Sequence, residues 1–124
     1  MEILAARVLL RPTDLARSLS FYRDVLGLAI AREFPGGTVF FLGGGYLELS
    51  GSSGSPAGAG MALWLQVRDL AAAHRELAPH VVREPRREPW GLLEMWITDP
   101  DGTRIVLVEV PAEHPLRRDT RSDP

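Results

Sequence analysis

The sequence contains no cysteine and no lysine, and each absence removes a class of chemistry. Without cysteine the chain has no disulfide, no thiolate nucleophile and no zinc–sulfur site. All 14 basic residues are arginines, so a Schiff-base lysine and a lysine general base are excluded. No apolar run approaches the ~20 residues of a membrane span, and the N-terminus lacks the features of a secretion signal. We therefore predict a cytoplasmic protein with no membrane partner.

A strong charge of either sign is also missing. The formal net charge is −2, so no bulk field favours nucleic acid or an anionic membrane. Hydrophobic residues make up 45% of the 124 residues, enough for the core of one domain but not of two independent ones. We predict one domain over residues 1–110. The charged, aperiodic tail over 111–124 is predicted to be disordered.

An internal repeat organises the rest of the chain. Asp14 and Asp69 each follow a short apolar run, and each can cap a helix that starts with a leucine. Farther on, Phe40-Phe41-Leu42 is echoed by Met95-Trp96-Ile97. A repeat of this length is one supersecondary unit that cannot bury its own apolar face, so the two copies must pack together.

Each copy predicts a strand, a helix and three further strands. In the first copy, residues 5–50, strands are predicted over 6–12, 29–33, 38–42 and 45–50, with a helix between Asp14 and Gly27. In the second copy, residues 61–110, strands are predicted over 61–67, 81–84, 92–98 and 103–110, with a helix from Asp69 to before Pro79. Residues 51–60 are rich in Gly and Ser and form a flexible linker. The predicted fold class is α+β, with two tandem βαβββ modules.

These modules resemble the vicinal oxygen chelate superfamily, which includes glyoxalase I, bleomycin-resistance proteins, fosfomycin-resistance enzymes and extradiol dioxygenases. The resemblance spans about residues 6–110 and rests on four segments: Asp14-Leu15-Ala16-Arg17-Ser18-Leu19-Ser20-Phe21-Tyr22, Val25-Leu26-Gly27-Leu28, Pro89-Trp90-Gly91-Leu92 and Asp99-Pro100-Asp101-Gly102-Thr103-Arg104. It implies that each module curls its sheet into half of a cup, often completed in a homodimer. A homodimer is therefore expected here.

The resemblance also implies four positions for metal ligands, on the first and last strands of the two modules. Here those positions hold Arg7, Glu48, Ala62 and Val106. Only Glu48 is a plausible ligand, because arginine stays protonated and alanine and valine offer no donor. We therefore expect no metal and no other cofactor. The alternative is a divalent metal held by a different ligand set.

Alternation along the strands predicts which side chains line the cup. Apolar neighbours such as Leu47 and Leu49 should cover the helices, so the residues between them should face a ligand. The ligand-binding residues predicted in this way are Arg7, Leu9, Arg11, Phe41, Tyr46, Glu48, Trp64, Gln66, Trp90 and Trp96. Trp90 lies in a loop before a strand and is predicted to cover the cup as a lid. Two simpler interpretations stay open: the aromatic residues could be ordinary core, and Arg7 could form a structural ion pair with Glu48.

Three functions compete. The leading hypothesis is a metal-independent protein of the bleomycin-resistance type that sequesters an aromatic or antibiotic-like ligand. Because arginines line the cup, an anionic or neutral aromatic ligand fits better than cationic bleomycin. The second hypothesis is a glyoxalase-like lyase or isomerase, or a dioxygenase, that uses a divalent metal; Glu48 would then be the catalytic acid–base group, with a pKa that burial could raise and Arg7 lower. The third is a dimerising module that binds a protein partner.

Overall fold

The computed structural model describes residues 1–56, 58 and 60–115, and these residues form two compact units. Unit 1 comprises Met1–Met61 together with Asp99–Thr103, and unit 2 comprises the described part of Ala62–Thr98 and Arg104–Pro124. Each unit contains one four-stranded mixed sheet, so the α+β class and the two βαβββ modules are confirmed. Within the described residues, no helix is long and apolar enough to cross a membrane.

Unit 1 contains strands β1 (Arg7–Leu10), β2 (Ile30–Phe34), β3 (Gly37–Leu42) and β4 (Gly45–Ser50), which form sheet A. The strand order is β1-β4-β3-β2, with β1 parallel to β4 and the other pairs antiparallel. Helix α1 spans Leu15–Ser20, and the carboxylate of Asp14 caps it by accepting a hydrogen bond from the amide of Arg17 at 3.1 Å.

A π-helical turn, Phe21–Val25, continues α1 to the predicted stop at Gly27, whose φ is +69°. The sequence spacing predicts a regular helix here and does not reveal this change. The wider turn accompanies the burial of two consecutive aromatic rings, Phe21 and Tyr22, which pack edge to face at 5.2 Å. Tyr22 also packs against Phe40 of β3, so these rings join the helix to sheet A.

The turn Asp99–Thr103 belongs to unit 1, although the strands on either side of it belong to unit 2. Asp99 Oδ1 accepts hydrogen bonds from the amides of Asp101 and Thr103, both at 2.9 Å, and Oδ2 accepts one from the Tyr22 hydroxyl at 2.7 Å. The carboxylate of Asp101 accepts from the amide and hydroxyl of Thr13, just before α1. This turn is therefore also a packing element of unit 1.

The buried phenol of Tyr22 makes stability sensitive to alkaline pH. Burial, followed by the charge and hydrogen bond of Asp99, raises the pKa of Tyr22 far above its usual value of about 10. Unfolding at higher pH releases this proton, so the free energy of unfolding should fall as pH rises above about 10. Tyr22→Phe should flatten that fall in urea unfolding curves, whereas Tyr46→Phe should retain the slope that Tyr22 contributes. An unchanged slope in Tyr22→Phe would contradict the assignment.

Unit 2 contains strands β5 (Ala62–Gln66), β6 (Val81–Arg87), β7 (Leu93–Thr98) and β8 (Arg104–Glu109), which form sheet B in the order β5-β8-β7-β6. Helix α2 spans Leu70–Leu77, and a 3₁₀ turn, Ala78–His80, follows it. Asp69 caps the helix through the amide of Ala72 at 3.1 Å. A second carboxylate, that of Glu109, accepts from the amide of Leu70 at 2.8 Å.

Most predicted element boundaries agree with the structure to within two residues, and the largest difference is in β6. This strand continues to Arg87, three residues past its predicted end. Its register against β7 shifts between Val81 and Arg83 and again between Arg83 and Arg86. The linker is irregular where it is described, with residues 57 and 59 outside the described residues. Of the predicted tail, residues 111–115 are described and contain a turn, and 116–124 lie outside the described residues.

Candidate functional site

Sheet A has one face covered by helix α1 and one that no helix of unit 1 covers, which we call the helix-free face. Strand register places the following side chains together on the helix-free face: Arg7, Leu9, Arg32, Val39, Phe41, Tyr46, Glu48 and Ser50. The alternating residues Leu47 and Leu49 are fully buried on the other face. The alternation therefore predicted the two faces of this sheet correctly, and five of the ten predicted site residues lie together here.

An ion pair occupies the middle of this face. Arg7 Nη1 donates to Glu48 Oε1 at 2.8 Å, and the Ser50 hydroxyl donates to Glu48 Oε2 at 3.0 Å. Both carboxylate oxygens therefore have a donor. The hydrogen bond from Arg7 is the main reason that the pKa of Glu48 lies below its usual value; desolvation opposes the shift, and Ser50 and the charge of Arg32 add to it. Of the two opposing effects considered from the sequence, the arginine prevails.

Aromatic rings and further cations surround this pair. Phe41 is 48% exposed and packs against Tyr46 at 5.7 Å, and the Arg7 guanidinium lies 5.8 Å from the centre of the Tyr46 ring. Arg32 stacks over Phe34 at 5.3 Å. Arg11 is exposed just beyond the end of β1 and lines a small cavity with Leu10, Ser18 and Leu49, so this predicted residue is not on the helix-free face. Arg32 forms no ion pair within the described residues, so two guanidinium groups, those of Arg7 and Arg32, face one carboxylate here.

The helix-free face of sheet B holds the predicted residues of the second module. Register places Trp64 beside Val106 and Val106 beside Trp96, and it places Gln66 beside Val108. Trp64 is 50% exposed, whereas Val106 and Val108 are buried in an apolar cluster with Leu92 and Val110 that packs against Trp96. Trp64, Gln66 and Trp96 therefore share one face. This group and the sheet A group lie in different units.

Two arginines that sequence reasoning did not assign to the site enclose Trp96. The guanidinium of Arg83 lies 4.3 Å from the centre of the Trp96 ring, and that of Arg104 lies 4.6 Å from it. Such cation–π contacts are worth ~0.5–2 kcal/mol each. The alternation of arginine and glutamate over residues 83–88 is typical of a solvated charged face, but this pattern misleads for Arg83 and Glu88. The register shifts in β6 turn Arg83 toward Trp96, and Glu88 is buried beside it.

Two buried carboxylates complete this face. Glu88 is 4% exposed and accepts hydrogen bonds from Arg83 and, at 3.1 Å, from Arg86. Glu94 is 6% exposed and accepts one from the indole nitrogen of Trp90 at 2.7 Å. The Trp90 ring itself is 58% exposed, so this hydrogen bond holds its polar edge while much of the ring stays open to solvent. Nothing in the sequence pattern distinguishes these two carboxylates from the neighbouring exposed ones.

The four implied metal positions do not form a donor set in the described residues. Arg7 is hydrogen-bonded to Glu48, Val106 belongs to the apolar cluster of sheet B, and Ala62 carries no donor. Among residues 1–56, 58 and 60–115 no group of three or more His, Cys, Asp or Glu side chains is arranged to hold a metal ion. These residues therefore do not fit the metal that the resemblance implies.

Comparison with known families identifies the superfamily of this chain. A sequence model of the Glyoxalase/Bleomycin resistance protein/Dioxygenase superfamily matches residues 5–107. The chain belongs to this superfamily. The predicted resemblance, made on four short segments, is thereby confirmed. Among curated proteins none matches the chain.

Solved structures share the superfamily fold with this chain. A protein of unknown function from Agrobacterium tumefaciens is 27% identical, with a TM-score of 0.74 over 90% of this chain and 95% of that one. A glyoxalase/bleomycin resistance protein/dioxygenase from Nocardioides is 18% identical, with a TM-score of 0.75 over 93% and 89%. A lactoylglutathione lyase from Agrobacterium tumefaciens is 23% identical, with a TM-score of 0.65 over 88% and 96%. Because one scaffold hosts different chemistries, function has to be argued from the site.

Proposed function

We propose that this superfamily member is a metal-independent binding protein that sequesters an aromatic organic anion at its helix-free faces. The observation that carries the proposal is the hydrogen-bonded group of Arg7, Glu48 and Ser50. The guanidinium is where a ligand to a metal would be expected, and the one remaining carboxylate is already satisfied on both oxygens. A divalent cation would have to break this ion pair and would gain a single protein donor.

The state of Glu48 also argues against general base catalysis. A useful base at neutral pH has a pKa raised toward the working pH. Arg7 and Ser50 shift the pKa of Glu48 in the opposite direction, which makes the carboxylate a weaker base. The competing function is a metal-dependent lyase, isomerase or dioxygenase. For that function, the metal ligands would have to come from residues other than the four implied positions.

Exposed rings support an aromatic ligand. Phe41 and Trp64 each leave about half of their surface in solvent on the helix-free faces. Burying apolar surface yields ~25 cal/mol per Å², and ring stacking adds orientation. Small-molecule sites combine such apolar walls with a few convergent polar groups. Here the polar groups are Gln66 and the arginines.

Guanidinium groups that form no ion pair support a ligand with negative charge. On sheet A, Arg7 is paired with Glu48, whereas Arg32 stacks on Phe34 and acts on Glu48 only through its charge. On sheet B, Arg104 stacks on Trp96 and has no ion pair within the described residues, and the carboxylate of Glu94 is hydrogen-bonded to Trp90. Guanidinium groups bind carboxylates through paired hydrogen bonds. On either face, an aromatic carboxylate would stack on the exposed ring and pair with the arginine of that face.

The first test measures metal. We expect protein purified without chelator or nickel to carry far less than one equivalent of transition metal by elemental analysis. Titration with Zn²⁺, Mn²⁺ or Ni²⁺ should give no saturable heat. One tightly bound equivalent of metal that rebinds after chelator treatment would overturn metal independence, and assays for lyase, isomerase and dioxygenase activity would then follow.

The second test measures ligand binding with 1-naphthoate and the neutral analogue 1-naphthamide. We expect 1-naphthoate to raise the melting temperature in the presence of chelator and to bind more tightly than 1-naphthamide. Trp64→Ala should weaken 1-naphthoate binding about tenfold, as truncation of an aromatic anchor does. Ala16→Ser, on the exposed surface of α1, is the control and should bind normally. Equal affinity for the two probes, or an unaltered Trp64→Ala variant, would contradict the proposed ligand class.

A further inference from the structure

A groove in unit 2 lies away from the helix-free face of sheet B. Its lining includes Leu70 and Arg75 of α2, Pro85, Arg86 and Arg87 of β6, and Leu93 of β7, and its volume is about 540 Å³. Pockets for small molecules commonly have volumes of ~300–1,000 Å³. None of these residues belongs to the site proposed above.

The groove exists because β6 is longer than the helix that packs beside it. Helix α2 begins at Leu70, where Glu109 and Asp69 satisfy its first amides, and it packs along sheet B. The second half of β6 continues to Arg87, which pairs with Leu93 at the start of β7. Leu93 is therefore only half-buried, and an open space remains between this end of the sheet and the helix.

The lining is apolar at depth and cationic at its edge. Leu70 is 3% exposed, whereas the side chains of Arg86 and Arg87 are 64% and 61% exposed. Three guanidinium groups face one carboxylate in the lining, that of Glu109, and that carboxylate already accepts the amide of Leu70. The groove therefore combines an apolar interior with an excess of positive charge.

The neighbouring carboxylates do not neutralise this edge. Arg86 shares Glu88 with Arg83, and Arg87 lies 3.9 Å from the exposed Glu113, at the limit of an ion pair. Arg75 forms no ion pair within the described residues. The nearby imidazole of His74 is hydrogen-bonded to Glu84 at 2.6 Å. Arg75 is thus the cation at this edge that a ligand could engage without displacing another group.

Other occupants fit less well. A β-strand added to β6, which is the edge strand of sheet B, would meet Pro85, which has no amide hydrogen to donate. The chain segment that follows Pro115 has three arginines and two aspartates, so its side chains bring no net negative charge to the edge of the groove. A compact ligand with an anionic group matches both the apolar interior and the arginines.

We infer that this groove is a second binding site, for an amphipathic organic anion with one apolar chain or ring system and one carboxylate, sulfonate or sulfate. The apolar part lies on Leu70 and Leu93, and Arg75 pairs with the anionic group. Binding weakens as salt is added, because exposed guanidinium groups are screened.

A pair of fluorescent probes tests the inference. The probe 8-anilinonaphthalene-1-sulfonate carries the sulfonate, and N-phenyl-1-naphthylamine has the same rings without charge. Arg75→Ala should weaken binding of the sulfonate probe about fivefold or more and change the neutral probe by less than about twofold, because one charge-assisted contact is lost. Arg68→Ala removes an equal charge from an exposed position of unit 2 outside the groove and should leave both probes unaffected.

Two further variants make the result decisive. Ala71→Trp places a large ring in the groove and should abolish binding of both probes while circular dichroism stays unchanged. The effect of Arg75→Ala on the sulfonate probe should be the same in the Trp64→Ala background, whether or not the probe also binds at the helix-free face. The inference is overturned if Arg75→Ala behaves like Arg68→Ala, or if the effect of Arg75→Ala disappears in the Trp64→Ala background. Because this readout depends on Arg75 and Ala71 and not on Trp64, the groove and the proposed function can fail separately.

Discussion

Replacing Asp99 with alanine is expected to lower the free energy of unfolding by about 3–5 kcal/mol, the largest loss that we predict for a single polar side chain. This carboxylate accepts three hydrogen bonds, from the Tyr22 hydroxyl and from the amides of Asp101 and Thr103. Alanine would leave a fully buried phenol without its acceptor and would remove the two bonds that shape the turn. Urea unfolding followed by circular dichroism measures the change.

Two milder variants separate these contributions. Asp99→Asn retains an oxygen for the two amides and should cost about 1–2 kcal/mol, and Tyr22→Phe removes only the phenol bond at a similar cost. Asp99→Ala combined with Tyr22→Phe should be less destabilised than the sum of the single variants, because the unpaired phenol is then absent. Strict additivity would show that the hydroxyl and the carboxylate do not interact in solution.

Replacing Gly37 with alanine should cost about 2–3 kcal/mol by overpacking. A Cβ atom at this position in β3 would lie 2.6 Å from the Phe34 ring, 2.7 Å from the Leu49 carbonyl oxygen and 2.8 Å from the Ser50 Cβ. The ring could move, but the carbonyl oxygen belongs to the neighbouring strand β4 and cannot move without distorting sheet A. A lowered melting temperature with unchanged m-value in urea would report this loss.

Gly44 provides the matched control. It lies in the turn between β3 and β4, and a Cβ atom there would meet nothing within 4 Å. Its φ is not positive, so alanine can adopt the backbone conformation. Gly44→Ala should change stability by no more than about 0.5 kcal/mol, or increase it slightly. Equal destabilisation by the two substitutions would mean that the packing at Gly37 is looser than described.

The sequence was sufficient for the strands and for the direction of their side chains in sheet A. Strict alternation around Glu48 identified the buried and helix-free faces, because a one-residue shift would have exposed Leu47 and Leu49. The caps at Asp14 and Asp69 located both helices, because a side-chain acceptor before an apolar periodic segment has a local physical basis. The Arg7–Glu48 ion pair was one of two interpretations left open, and the structure contains it.

Features that depend on register or on distant chain segments could not be predicted. The two irregularities in β6 bring Arg83 to Trp96 and Glu88 to Arg83, which simple alternation does not foresee. The stacking of Arg104 on Trp96 requires the pairing of β7 with β8 in a known register. The groove beside α2 arises because β6 extends beyond this helix. The sequence predicted that β6 ends at residue 84, and a strand of that length would not form the groove.

The position of the Asp99–Thr103 turn has a consequence for any attempt to divide the polypeptide at its linker. A fragment ending at Met61 would contain every strand of sheet A, yet it would lack the acceptors for the Thr13 amide and the Tyr22 hydroxyl. The two repeats are therefore not interchangeable building blocks, because the first is completed by five residues encoded within the second. Cleavage in the linker after folding should be tolerated, whereas separate synthesis of the first half should yield an unstable product.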